Sequence, residues 1–178
     1  MLETPEELDD LQQLLDRSMA GAGEHLRGII TDERRLSAAG LAGRLRGMRL
    51  LAVATVTADG RPLAGPVDGY FLHGTFWFSS GRNSVRMRHL AARPAVSATH
   101  LPGEELAVSV HGRAELVGLR EPAGAELRQA MLDWYVPRQG PEFETWLDAL
   151  DAVAARIEPE KIFTFSTGSQ RPAGRSRR

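Results

Sequence analysis

The sequence predicts a single α+β domain, mostly β in its middle and helical at its start and again before its end. Three observations carry that prediction. Between residues 50 and 101, apolar runs of strand length alternate with turn signals. Residues 106–116 then alternate apolar and polar with a period of two. At both ends the apolar residues instead recur every three or four positions, the spacing of helices with one buried face. The chain has 178 residues, 42% hydrophobic and 25% charged, so one domain is the default and its core needs no staples.

Thr4-Pro5-Glu6-Glu7 opens the first helix: Thr4 is the N-cap, Pro5 takes the first helical position and Glu7 closes a capping box. Leu8, Leu11, Leu15 and Met19 lie on one face of it, and Gly21-Ala22-Gly23 ends it. Residues 24–35 mix apolar and charged positions and give no clear element. Ser37 caps a second helix, with Leu41, Leu45 and Met48 on one stripe and Arg44, Arg46 and Arg49 on a solvated face.

Residues 50–57 are nearly all apolar or β-branched, which predicts a strand buried on both faces. Asp59-Gly60 supplies the positive φ of a hairpin. In the second strand, 63–72, Pro66 removes one ladder donor, so the strand is interrupted or borders an opening there. Gly65 and Gly69 would let a flat ring approach the main chain, or are ordinary sheet-corner glycines. His73-Gly74 turns the chain into a strand in which Phe76 and Phe78 face one way and Trp77 the other. A short helix follows, preceded by hydroxyls and guanidiniums. With its free backbone N–H groups this is the chemistry that holds a phosphate.

Pro94 separates that helix from a fourth strand, 95–101, and Pro102-Gly103 makes a turn. In the fifth strand Leu106, Val108, Val110, Ala114 and Leu116 share one face; Ser109, His111, Arg113 and Glu115 share the other. That polar face is open to solvent, pairs across a dimer, or lines a cofactor cleft. Leu127, Ala130, Met131, Trp134 and Tyr135 form one helical stripe, and Phe143, Trp146, Leu147, Leu150, Val153 and Ile157 another. Pro137 and Gly140-Pro141 break the pair, and the aromatics read as core or interface anchors.

Several classes of function are excluded or disfavoured. The histidines His25, His73, His89, His100 and His111 lack metal-ligand spacing, and HExxH, GxSxG and Walker patterns are absent. GAGEHLRG follows no strand, so it does not support a dinucleotide fold. With no cysteine there are neither disulfides nor thiolate metal sites, which suits a cytoplasmic protein. No apolar run approaches the ~20 residues of a membrane span, and the acidic start is unlike a signal peptide. A net charge of −1 gives no general pull toward nucleic acid. The four arginines of RPAGRSRR lack aromatic interleaving and read as a basic tail. A bound cofactor is therefore the expected source of any reactivity.

The succession ATVTADGRPLAGPVDGYF, FWFSS, SVRMRHLAARPAVSAT and AVSVHGRAELV, with KIFTF near the end, resembles the pyridoxamine 5'-phosphate oxidase-like family of FMN-binding split barrels. The resemblance implies a six-stranded antiparallel split β-barrel with added helices. It implies one domain over 1–168: a helical extension 1–49, a barrel core 50–118, a helical insertion 119–157 and a last strand 158–168. The remainder, 169–178, is expected to be a disordered basic tail.

For the cofactor, the resemblance implies FMN. Pro66, Val67 and Asp68 would lie along the isoalloxazine, and Ser79, Ser80, Arg82, Ser84 and Arg86 around the phosphate. Arg86 stands where the family more often has lysine, which keeps the charge and adds bidentate geometry. The resemblance further implies a cytoplasmic homodimer and an oxidoreductase acting on a small-molecule substrate. Two alternatives remain open. One is a deazaflavin coenzyme in the same groove, suggested by the Arg- and Ala-rich composition. The other is a non-enzymatic flavin- or haem-binding stress or sensor protein. The family enzyme's substrate-phosphate arginine motif has no convincing match in IFTFSTGSQRP.

Overall fold

The computed structural model describes residues 2–167, so the basic tail expected at 169–178 lies outside the described residues. Helix α1, Pro5–Ala20, starts as expected: Thr4 accepts from the Glu7 amide, and the Glu7 side chain accepts from Thr4 N at 2.7 Å. Leu11, Leu15 and Met19 are buried on its inner face. Residues 24–35, unassigned from sequence, hold a short helix α2, Glu24–Ile29, and a 3₁₀ turn, Asp32–Arg34. Helix α3, Ala38–Arg44, is capped by Ser37 and buries Leu41.

Six strands follow: β1 Arg49–Val56, β2 Pro62–Leu72, β3 Thr75–Gly81, β4 Ala95–Gly103, β5 Leu106–Gly118 and β6 Ala152–Ser166. They close an antiparallel barrel in the order β1-β2-β3-β6-β5-β4. Helix α4, Val85–Ala92, joins β3 to β4, while α5, Ala125–Gln139, and α6, Glu142–Ala149, join β5 to β6. Gly60 and the His73-Gly74 pair have the positive φ expected of their hairpin turns (+84°, +51° and +73°). The alternation of β5 holds: Leu106, Val108, Val110 and Ala114 are buried inside the barrel, while His111, Arg113 and Glu115 are exposed.

Two apolar clusters result. One fills the barrel with Leu51, Val53, Phe76, Phe78, Val108 and Ile157, sealed by residues of α1, α3 and α4. The other lies outside it, where α5 and α6 pack on Tyr70, Leu72, Trp77 and Ala154. Thus Phe76 and Phe78 do face one way and Trp77 the other, and both directions are buried.

The structure differs from the sequence reading at six places. The second helix ends at Arg44, so Met48 and Arg49 lie beyond it. β1 is not buried on both faces: Leu50 is 61% exposed, because no layer covers its outer side. β4 runs through Pro102-Gly103 with a register shift instead of turning there. Pro137 lies inside α5, in its last turn, where it removes one donor without ending the helix, and the break comes at Gly140-Pro141. The insertion is not helical to 157, since α6 ends at Ala149. β6 starts at Ala152, so Val153 and Ile157 belong to a strand. Alanine favours helix in isolation, but β3 and β5 hydrogen-bond both edges of Ala152–Ile157, and that pairing overrides propensity.

Candidate functional site

The barrel is split between β2 and β3. Their pairing covers only Gly69–Leu72 against Thr75–Phe78, so residues 62–68 pair with β1 alone. In an extended strand the N–H and C=O of one residue point to the same edge. The Pro66 carbonyl accepts from Arg86 Nη2 at 3.4 Å across the open edge, so the missing proline donor also falls where no strand would use it. Gly65 gives the guanidinium room, since a Cβ there would stand 3.0 Å from Arg86 Nη2. Gly69 serves the barrel rather than a ligand: its Cβ would meet Leu51 Cδ1 at 2.2 Å.

Along this split runs a groove of about 640 Å³, a size typical of small-molecule and cofactor sites. Pro66, Val67 and Asp68 of β2 form one side; Ser79, Ser80 and Gly81 of β3, with Arg86 of α4, form another. Six of the eight residues predicted for the cofactor are therefore brought together: Pro66, Val67, Asp68, Ser79, Ser80 and Arg86. The other two are turned to different work. Arg82 pairs with Asp151 at 3.0 Å, outside the groove. Ser84 is the N-cap of α4, accepting from Met87 N at 3.3 Å.

Arg86 is the group around which the site is built. Its guanidinium is half-buried, and desolvation pulls its pKa below the usual arginine value, which still leaves it cationic at neutral pH. Among the described residues no carboxylate lies within ion-pair distance of it, and its one protein hydrogen bond is the long contact to Pro66. A desolvated cation without a counterion is costly to the fold and available to an anion.

The third wall was missed by sequence reasoning. Met131, Tyr135, Phe143, Trp146 and Leu147 of α5 and α6 line the groove. Tyr135 stacks on Phe143 with centroids 4.6 Å apart, and Phe143 lies 5.4 Å from Trp146, which is 55% exposed. The helical spacing correctly placed them on apolar faces. Only the fold of α5 and α6 over the open edge of β2 turns those faces toward a cavity.

The Tyr135 hydroxyl donates to Asp68 Oδ2. Burial, then that hydrogen bond, pushes the phenol well above its usual range, so it stays a neutral donor. None of the five histidines lines the groove. Among the described residues no cluster of histidine and carboxylate side chains could hold a metal, and no helix is long and apolar enough to cross a membrane.

The donor set fits a phosphate-bearing planar cofactor. A cation without a counterion and two serine hydroxyls lie on one side, and sulfur and aromatic surface on the other.

Comparison with known proteins is consistent with this geometry. Residues 41–167 match the family described as pyridoxamine 5'-phosphate oxidase. No curated protein sequence matches the chain. Among solved structures, a conserved hypothetical protein from Mycobacterium tuberculosis superposes with a TM-score of 0.62 at 22% identity, over 76% of this chain and 88% of that one. The heme storage protein HutZ from Vibrio cholerae gives 0.59 at 20% identity, over 74% and 95%. An F420 reductase gives 0.53 at 24% identity, over 66% and 91%. At such identities these three establish the shared fold.

Proposed function

The chain belongs to the pyridoxamine 5'-phosphate oxidase family over residues 41–167, and from that premise we propose that its groove binds FMN and that the protein is a flavin-dependent oxidoreductase. The observation that carries this reading is Arg86, a half-buried guanidinium without a carboxylate partner among the described residues, facing a cavity of about 640 Å³. Arg86 would bind the phosphate, with the hydroxyls of Ser79 and Ser80 beside it. Pro66, Val67 and Asp68 would border the ring, while Met131 and Phe143 keep water from it. When bound, the cofactor supplies hydride and electron transfer, and the protein supplies binding, orientation and electrostatics.

A visible spectrum of the purified protein tests the reading, because flavin, deazaflavin and haem absorb differently. A flavin spectrum that phosphate-free riboflavin cannot restore after removal supports it. A deazaflavin spectrum keeps the groove and changes the coenzyme. A haem spectrum contradicts it, as would a protein that takes up no flavin on titration; an axial imidazole is not available in this groove.

The same proposal includes a homodimer. Leu50 and Leu101 (61% and 65% exposed) lie side by side at one end of the β1–β4 pair. These are large apolar side chains on an uncovered sheet face. Sedimentation should show a dimer; a monomer at every concentration contradicts this part.

A further inference from the structure

We propose that the substrate sharing this groove is a planar aromatic carrying a positive charge, held between the α5–α6 aromatic wall and the carboxylates Asp68 and Glu142. The inference rests on the reading that Arg86 is occupied by the cofactor phosphate, and it concerns the carboxylates that line the same cavity.

The charges that line the groove are not paired with one another. Arg86 and Asp68 both line it, and neither pairs with the other: Arg86 reaches the Pro66 carbonyl and Asp68 accepts from Tyr135. Glu142, at the start of α6, lines the cavity too, and among the described residues neither it nor Asp68 has a basic partner within ion-pair distance. The next cation along α5, Arg138, does not line the cavity, although its charge still acts on Tyr135. It sits over the Trp134 ring, 3.7 Å from its centroid, and donates to the Trp134 carbonyl at 2.5 Å.

With a phosphate on Arg86, the side-chain charge left facing the cavity is therefore negative. A second anion would be repelled by that field, whereas a cation would be drawn to it. Tyr135 leaves the attraction intact, because its phenol remains neutral and its hydrogen bond occupies only part of Asp68's accepting capacity.

The wall beside these carboxylates suits the same ligand. Tyr135, Phe143 and Trp146 follow one another at 4.6 and 5.4 Å between centroids, and Trp146 is left more than half exposed at the groove. An aromatic face attracts a cation, tryptophan most strongly, and stacks on a flat ring. Such a pocket discriminates against a phosphorylated or carboxylated substrate.

The probes are 1-methylquinolinium, neutral quinoline at pH 8 and quinoline-2-carboxylate, titrated into the FMN-loaded and the FMN-free protein while tryptophan fluorescence is followed. The cation should bind about tenfold more tightly than quinoline, and in the FMN-loaded protein, where Arg86 is occupied, the carboxylate more weakly than either. Added salt should weaken the cation and leave quinoline unchanged. Asp68→Asn, which can still accept from Tyr135, and Glu142→Gln, on an exposed position, should each reduce the preference for the cation severalfold without changing the binding of quinoline. Equal affinity for cation and neutral ring, or tighter binding of the carboxylate to the FMN-loaded protein, overturns the inference. FMN titrated into the same preparations separates the two readings. Intact FMN binding without cation preference removes this inference alone, and cation preference in a protein that never binds FMN removes the proposed function alone.

Discussion

The two faces of β3 are built from one short stretch of sequence and end in different kinds of environment. Inside the barrel Phe78 is fully buried, edged by Phe76 and by small residues of β6 such as Ala155, its partner in register. Outside, Trp77 and Ser79 meet α5 and α6, a layer whose aromatics only partly close over the open edge of β2. The inner layer is a closed sheet that can be filled completely. The outer layer packs two helices against a sheet with a missing partner strand, and the unfilled volume is the groove. Stability is concentrated in the first and ligand chemistry in the second.

That contrast is broken most easily at Phe78. Replacing it by alanine removes a fully buried ring and should cost about 3–5 kcal/mol in chemical denaturation. Trp146→Ala, at a position 55% exposed, should change stability by less than about 0.5 kcal/mol while lowering the fluorescence response to any groove ligand. A large loss of stability at Trp146 would mean that the outer layer is core as well.

Next in size is Arg86→Ala. Loss of a charge-assisted contact worth about 1.5–3 kcal/mol should weaken FMN ten- to a hundredfold. Riboflavin, without the phosphate, should bind both proteins alike, and the fold should hold because the guanidinium is desolvated and lacks an ion pair. Arg44→Ala, on the exposed face of α3, should do nothing. Equal FMN affinity in wild type and Arg86→Ala would take the phosphate away from this end of the groove.

Arg82→Ala sharpens the same contrast, because Arg82 was expected at the phosphate and instead clasps Asp151. The two side chains are 57% and 66% exposed, so the loss should stay below about 1 kcal/mol. FMN affinity should change less than twofold; a tenfold drop in titration would restore Arg82 to the site.

The smallest effect concerns the latch at the far end of the outer layer. His73 donates to Glu7 at 2.9 Å and faces Glu126 at 3.1 Å, joining α1, the β2–β3 turn and α5. The hydrogen bond His73 donates to Glu7 raises the His73 pKa above its usual 6.5. Its contribution is therefore complete below about pH 6.5 and is lost as pH rises through the raised value. Glu7 is held below its usual 4.5, first by the Thr4 amide, so its share is present above about pH 4.5 and is lost on further acidification. Both shares are present in the window between. His73→Ala should flatten the fall in stability above neutral pH in melts across a pH series; an unchanged slope would show that the latch contributes nothing.

Much of this was legible in the sequence because its causes are local. The Thr4–Glu7 capping box, the turns at Gly60 and His73-Gly74, the alternation of β5 and the opening beside Pro66 each depend on a few neighbouring residues. So did the gathering of hydroxyls and Arg86 near β2, once Pro66 marked a gap. What the tertiary structure alone decided depends on partners far along the chain. Ala152–Ile157 became strand because β3 and β5 flank it. Leu50 stayed exposed because nothing covers the outer side of β1, and Arg82 stands outside the groove because Asp151 arrives beside it. Tyr135, Phe143 and Trp146 became a groove wall through the placing of α5 and α6. Periodicity fixes which face of an element is apolar, but the surface that face meets is set by long-range register and by the unpaired edge of β2.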